Sequence, residues 1–342
     1  MIEVKNLSKK YGNFEAVKDV SFSVGRVEVL GFLGPNGAGK TTIMKILTGC
    51  HYPSGGEARI NGISVEDDPV EIKKRIGYLP ENNPLYGDLS PEEYLYFAAS
   101  GRLISGKERQ KAVDFALAAC GIESRRNQRI DSLSKGFRQR VGLAQAIIHD
   151  PDILILDEPT SGLDPNQIIE IRSLIRELGK RKTVILSTHI LQEVEAVCSR
   201  VLILNEGIIA AQGTPEEIAH GMMRAGGRDT WELFLKGALV SELPDRLSCL
   251  RLAGPACIKK SEVSVEALDD GVVRLNFTVQ NDASGEGNRG SHSQDGESIF
   301  DWAVEEGYKI IGMKCKKLSL EDIFVKLTGE LPKDEDSSSG GE

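Results

Sequence analysis

No stretch of this 342-residue chain approaches the roughly 20 consecutive apolar residues that cross a bilayer, so no spanning helix is expected. The opening residues, MIEVKNLSKK, lack the apolar core of a secretory signal. Cysteine is sparse and scattered: Cys50, Cys120, Cys198, Cys249, Cys257 and Cys315 include no CxxC pair. That excludes a disulfide scaffold and argues for reduced thiols without a zinc site. The five histidines are dispersed as well, which speaks against a metal cluster built on them. Nor is there an excess of positive charge. The formal net charge is −9, so no nucleic-acid partner is expected from overall attraction. Tandem repeats and long heptad arrays are also missing. These absences lead to the expectation of a cytoplasmic protein, in which any membrane role requires a separate partner chain.

What is present is an ordinary folding composition, 40% hydrophobic and 27% charged, at a length that suits two domains. One run stands out. GFLGPNGAGKTT, from Gly31 to Thr42, lies between the apolar segment VEVL and the helically spaced IMKILTG. Gly34, Pro35, Asn36, Gly37, Ala38, Gly39, Lys40 and Thr41 fit the spacing G-x-x-x-x-G-K-[ST]. Glycines at these positions let successive backbone N–H groups turn toward one anion, and a helix N-terminus adds its positive end. Lys40 is expected to reach the β- and γ-phosphates of a nucleotide, and the Thr41 hydroxyl to ligate Mg²⁺. Thr42 supplies a further hydroxyl or N–H near the α-phosphate.

A phosphate loop needs a second half-site. ILILDEP reads as a buried strand that delivers Asp157 and Glu158 to its C-terminal end, where parallel sheets bind ligands. Asp157 is expected to hold Mg²⁺, directly or through water, and Glu158 to orient or deprotonate a water near the γ-phosphate. Elsewhere the pattern alternates. The first 34 residues read as β-strands up to the loop. From Asp67 to Gly121 helical patterns dominate, with Ser90 as N-cap and Pro91 at the first helical position. Then come an amphipathic helix closed by Gly179, the buried strand TVILSTH, and a hairpin around Asn205-Glu206-Gly207. This order predicts an α/β fold with a mainly parallel sheet covered on both faces and an added antiparallel β layer. The composition shifts near residue 222, where GMMRAGGRD reads as a linker. The expected division is a nucleotide-binding domain over 1–222 (helical subdomain about 84–145) and a small α+β domain over 223–330. Within the latter, 281–297 reads as a disordered loop, and 331–342 as a disordered tail.

Phosphate loops serve kinases, GTPases, helicases and transport ATPases alike. The stretch DSLSKGFRQRVGLAQAIIHDPDILILDEPTSGLD narrows the choice. It resembles the signature motif, Walker B strand and D-loop of ATP-binding cassette (ABC) ATPases. The usual signature LSGGQ stands here as Leu133-Ser134-Lys135-Gly136-Phe137. Lys135 and Phe137 depart from it, as they often do in the ABC-2-type exporter ATPases of drug, antibiotic or gliding-motility systems. The resemblance covers about residues 1 to 220, and the closing SLEDIF segment extends it. The long polar loop of the second domain has no counterpart in it.

The resemblance implies an ATPase with ATP and Mg²⁺ as its cofactors. Tyr11 would stack on adenine, His189 would contact the γ-phosphate, and Glu158 would act as the base. Glu81, where many cassettes carry Gln, would hold Mg²⁺ or a water alongside Thr41 and Asp157. Ser134, Gly136 and Asp164 would contact the nucleotide of a second cassette in a homodimer or heterodimer. The partner would be a separate transmembrane permease subunit, with this chain peripheral on the cytoplasmic face of the inner (cell) membrane. Tyr86, Tyr94, Tyr96 and Phe97 belong either to a partner-facing groove or to the helical core. An ABC ATPase acting on ribosomes or DNA is the competing reading. The single cassette, the lack of coiled coil and the acidic charge weigh against it, and no nucleic-acid partner is expected.

Overall fold

Alternate residues of the strand at 153–157 enter two different hydrophobic clusters. Ile153 and Ile155 pack with one, Leu154 and Leu156 with the other. A strand buried on both faces has no use for polar alternation, which is why this segment reads as one apolar run. The computed structural model describes residues 1–218, 228–247, 250, 257–258, 263–280, 291–316 and 320–329.

Among the described residues the main sheet has six strands. They are β3 (Val29–Leu33), β6 (Ile76–Leu79), β7 (Ile153–Asp157), β8 (Thr183–Thr188), β9 (Arg200–Asn205) and β10 (Ile208–Gly213), in the order β10-β9-β3-β8-β7-β6. All neighbours are parallel except the β9–β10 hairpin. A four-stranded antiparallel sheet, order β2-β1-β4-β5, is built from β1 (Ile2–Tyr11), β2 (Phe14–Val24), β4 (Gly55–Ile60) and β5 (Ile63–Ser64). Its inward residues share the first cluster with α1 (Lys40–Leu47). The second cluster gathers α3 (Pro91–Gly101), α4 (Gly106–Ala119), α5 (Lys135–Ile147) and α6 (Pro165–Gly179). Between α1 and α3 lies the short α2 (Pro69–Arg75), and α7 (Leu191–Val197) follows β8.

The register matters most for function. Leu33 pairs with Thr188, and Asp157 pairs with Ser187. The C-terminal ends of β3, β8 and β7 therefore lie side by side, and whatever follows each strand converges at one edge. β6 interrupts a region expected to be helical. Four residues, IGYL, are too few to display a period, and the strand is secured by its ladder with β7. Ser90 caps α3 in a reciprocal capping box with Glu93, as its position before Pro91 suggests.

The chain divides into two compact units: Met1–Pro215 together with Phe324–Gly329 among the described residues, and Glu216–Ile323. The second unit carries an antiparallel sheet of β11 (Arg228–Lys236), β12 (Cys257–Ile258), β13 (Ser264–Ala267), β14 (Val272–Gln280) and β15 (Lys309–Lys316). Trp231, Leu233, Leu275 and Phe277 pack there with Ile299 and Trp302. The last two lie on α9 (Ser291–Glu305), which follows α8 (Leu243–Leu247). β11 begins at Arg228, inside the segment read as a linker, and is paired on both sides, with β14 and β15. Of the loop expected over 281–297, residues 281–290 and the tail 331–342 lie outside the described residues. Residues 291–297 form the first turns of α9, extended from the apolar half anchored by Ile299 and Trp302. The last helix among the described residues is α10 (Leu320–Thr328).

Candidate functional site

The loop after β3 turns tightly against β9. A Cβ on Gly34 would lie 2.3 Å from the Leu204 carbonyl oxygen, so only glycine passes there. Gly39 then caps α1 without any side-chain hydrogen bond, leaving the first helical N–H groups to the cavity in front of them. Lys40, only 6% exposed, donates to the Gly34 carbonyl at 2.6 Å and to the Pro35 carbonyl at 3.2 Å, and lies 3.6 Å from Glu158 Oε1. Burial lowers its pKa, and the charges of Glu158 and Asp157 resist that.

Asp157 ends β7 and is buried. Its Oδ1 accepts from Ser187 Oγ at 2.5 Å and from Thr41 Oγ1 at 3.1 Å. Its Oδ2 is buried without a hydrogen bond. Burial raises the Asp157 pKa against those two bonds. A desolvated carboxylate with one orphaned oxygen, beside a threonine hydroxyl, suits a divalent cation. Among the described residues no cluster of three or more His, Cys, Asp or Glu stands ready to cage an ion.

Glu158 sits one residue on, at a positive φ of 48°, a conformation costly for a side-chain-bearing residue. Its backbone N–H donates to Ser187 Oγ at 2.9 Å, which helps to hold the turn. His189 Nδ1 lies 3.0 Å from Glu158 Oε2. Burial pulls the Glu158 pKa upward, but the His189 hydrogen bond and the Lys40 charge outweigh it, and the carboxyl lies below its ordinary value. Glu158 is therefore an ionised acceptor, and the imidazole donates from Nδ1.

Lys40, Thr41, Glu158 and His189 line one cavity of about 800 Å³, while Gly34, Asp157 and Ser187 lie behind its wall. Its polar wall is Pro35, Asn36, Gly37, Ala38, Gly39, Lys40, Thr41 and Thr42, with Glu81, Glu158, Ser161 and His189; Tyr11, Phe14, Ala16 and Phe324 complete it. Tyr11 and Phe14 face each other across the β1–β2 turn. Tyr11 is 43% exposed, and its hydroxyl is tied to His51 Nδ1 at 2.7 Å. Glu81, exposed just after β6, lies at the cavity edge.

The structure does not bring Ser134, Gly136 or Asp164 to that cavity. Ser134 is exposed and caps α5 by accepting from the Phe137 N–H, and Asp164 caps α6 by accepting from the Gln167 N–H at 2.9 Å. A Cβ on Gly136 would meet the Gln167 side chain at 2.5 Å, so the two helix starts adjoin. Of the four aromatics before the signature, Tyr94 is core, its hydroxyl donating to Gln145, and Tyr96 is half-buried. Tyr86 and Phe97 are exposed, their rings tilted against each other with centroids 5.3 Å apart.

Sequence reasoning missed Ser187, a buried polar residue in an apolar strand two positions before His189, and that oddity was the available signal. It also missed Glu193, which is buried and accepts from Thr160 and, at 2.6 Å, from Thr188, with Arg172 at 3.7 Å. Ser187→Ala should strand the Glu158 N–H and free the Asp157 carboxylate. We expect about 1–3 kcal/mol lost stability in urea unfolding, from an unsatisfied buried group, and about a tenfold fall in nucleotide turnover, since misplaced catalytic groups cost rate steeply.

Residues 17–161 match the family described as ABC transporter. The chain is 32% identical over 332 residues to the bacitracin transport ATP-binding protein BcrA of Bacillus licheniformis, covering 96% of this chain and 97% of that one. It is 39% identical over 218 residues to the uncharacterized ABC transporter ATP-binding protein YxlF of Bacillus subtilis (strain 168), covering 64% of this chain and 72% of that one. Among solved structures it resembles the ATP-binding cassette MJ0796 in a dimeric post-hydrolysis state bound to ADP and Pi. The identity is 28% and the TM-score 0.58, with 63% of this chain and 98% of that chain covered.

Proposed function

Because this chain belongs to the family of ABC transporter ATP-binding proteins, and is an ATPase subunit of that type, we propose that it powers export through a separate membrane permease, two cassettes closing on ATP and reopening after hydrolysis. Among the described residues no helix is long and apolar enough to cross a membrane; in this reading the pathway is supplied by the permease. Export of a drug- or antibiotic-like compound is favoured by the near full-length similarity to BcrA, a bacitracin transport protein. The chain would then work on the cytoplasmic face of the cell membrane.

The observation that carries this reading is the meeting of Lys40, Thr41, Glu158 and His189 around one cavity, with Asp157 buried behind Thr41, while Ser134 stands outside it. Tyr11 receives the adenine face. The loop N–H groups from Gly37 to Thr42 and the Lys40 ammonium take the phosphates, Lys40 leaving its loop carbonyls to do so. Asp157, Thr41 and Glu81 are the residues that would hold Mg²⁺, which when bound offsets phosphate charge. Glu158 holds the attacking water and takes its proton, and His189 keeps the carboxylate aimed. Ser134, Gly136 and Asp164 act across the dimer. Tyr86 and Phe97 offer the exposed aromatic contact for the permease.

Two measurements test this. Lys40→Ala should bring hydrolysis by the purified chain to background and weaken ATP binding about tenfold or more, since a charge-assisted phosphate contact is lost; unchanged turnover rejects the site. Capture of the full chain from detergent-solubilised membranes should bring down a multi-span protein in stoichiometric amount. Recovery of ribosomes or DNA without such a protein rejects the transport reading.

A further inference from the structure

Resting on the reading of the cavity as an ATP site, we propose that the C-terminal helix α10 supplies part of the base-binding wall through Phe324, and that Asn205 anchors it there. In that reading the polar lining groups serve the phosphate end, apart from Ser161, which has no assigned role. What remains is Tyr11, Phe14, Ala16 and Phe324, an aromatic and apolar set that suits the flat face of a nucleobase and offers nothing to phosphate. Phe324 lines the cavity but is 2% exposed, so it backs the wall, whereas Phe14, 62% exposed, stands at the rim.

A second observation locates α10 at the same end. Asn205 Nδ2 donates to the Leu327 carbonyl at 3.0 Å. This is one of the last-turn carbonyls that a helix leaves without an internal partner, and it lies one turn beyond Phe324. Asn205 opens the β9–β10 turn, whose Glu206 and Gly207 have φ of 48° and 83°. Gly207 donates to the Ala38 carbonyl of the phosphate loop at 3.2 Å and accepts from the Lys18 N–H at 2.8 Å. It also lies so close to Ala16 that a Cβ there would meet that carbonyl oxygen at 2.8 Å. One rigid turn thus touches the phosphate loop, the β2 wall and the C-terminal helix. Binding of a base and docking of α10 are therefore linked: each favours the other by the same factor.

The test compares ATP with inorganic tripolyphosphate, both with Mg²⁺, on the full chain by titration calorimetry. Phe324→Ala should raise the ATP Kd about tenfold, on the scale of an aromatic contact, and leave the tripolyphosphate Kd within about twofold. Asn205→Ala, which keeps Phe324 and loosens only its anchor, should move ATP alone in the same direction by about threefold, one hydrogen bond's worth. It tests the proposal even where Phe324→Ala does not fold. In the parent chain, ATP should slow amide hydrogen exchange over residues 320–328, and tripolyphosphate should not. Unchanged ATP affinity in both variants, equal losses for both ligands, or identical exchange with either ligand overturns the proposal. If instead the parent chain binds no ATP, or Lys40→Ala binds it as well as the parent, the ATP-site reading itself has failed.

Discussion

Glu158→Gln should slow steady-state ATP hydrolysis by about a thousandfold, within the range contributed by a positioned general base, while ATP binding survives. The substitution is nearly isosteric. It keeps an oxygen for the His189 Nδ1 contact and leaves Ser187 on the Glu158 backbone N–H. What it removes is the negative charge beside Lys40 and the proton acceptor facing the cavity. Loss of that charge also eases the approach of a γ-phosphate, so bound ATP should last longer and hold two chains together. Size-exclusion chromatography with light scattering, at saturating ATP and Mg²⁺, should show a dimer for Glu158→Gln where the parent returns to monomer as ATP is spent. Turnover equal to the parent's removes Glu158 from the role of base. A slow variant that stays monomeric with its permease supplied keeps the base and removes the closing step.

The residues of the proposed phosphate end, which do meet at one cavity, stand together in the sequence because such chemistry forces adjacent positions. A loop that cups an anion needs its glycines, Lys40 and Thr41 at fixed spacing, and a strand that ends in two carboxylates shows itself as ILILDEP. The sheet was readable for a related reason, since strands buried on both faces lose their alternation. What escaped depends on contacts between distant segments. β6 is four residues long and exists through its ladder with β7. β11 holds the centre of the second unit's sheet but begins in residues whose composition suggests a linker. Ser187 holds the Asp157 carboxylate and the Glu158 backbone N–H from a neighbouring strand, and only the register that sets it opposite Asp157 reveals this. Phe324 reaches the cavity from more than 280 positions beyond the loop. No local period reports such a contact, and the aromatic looks like any helix core residue. His51, which ties down the Tyr11 hydroxyl, is of the same kind.

Mixing Lys40→Ala chains with Ser134→Arg chains should restore activity that neither possesses alone. Ser134 is exposed at the start of α5 and lies outside the cavity of its own chain. At this exposed position the expected local cost of arginine is a lost N-cap, about 1 kcal/mol. In a two-fold dimer each signature would face the partner's phosphate loop, so the Ser134→Arg substitution would put bulk and a mismatched side chain into the other subunit's site. Each homodimer then carries the same defect at both sites and is inactive. A heterodimer concentrates both defects in one composite site and leaves the other with an intact Lys40 and an intact Ser134. Random pairing of equal amounts yields heterodimers in half the population, so recovery of about a quarter of parent activity is expected if sites in a symmetric dimer act independently. Activity that rises with mixing and peaks near equal proportions supports a nucleotide held between two chains. Activity of Ser134→Arg alone at the parent level, or a mixture as inactive as its components under conditions where tagged chains are shown to exchange, means that one chain's cavity does not draw on its partner's signature.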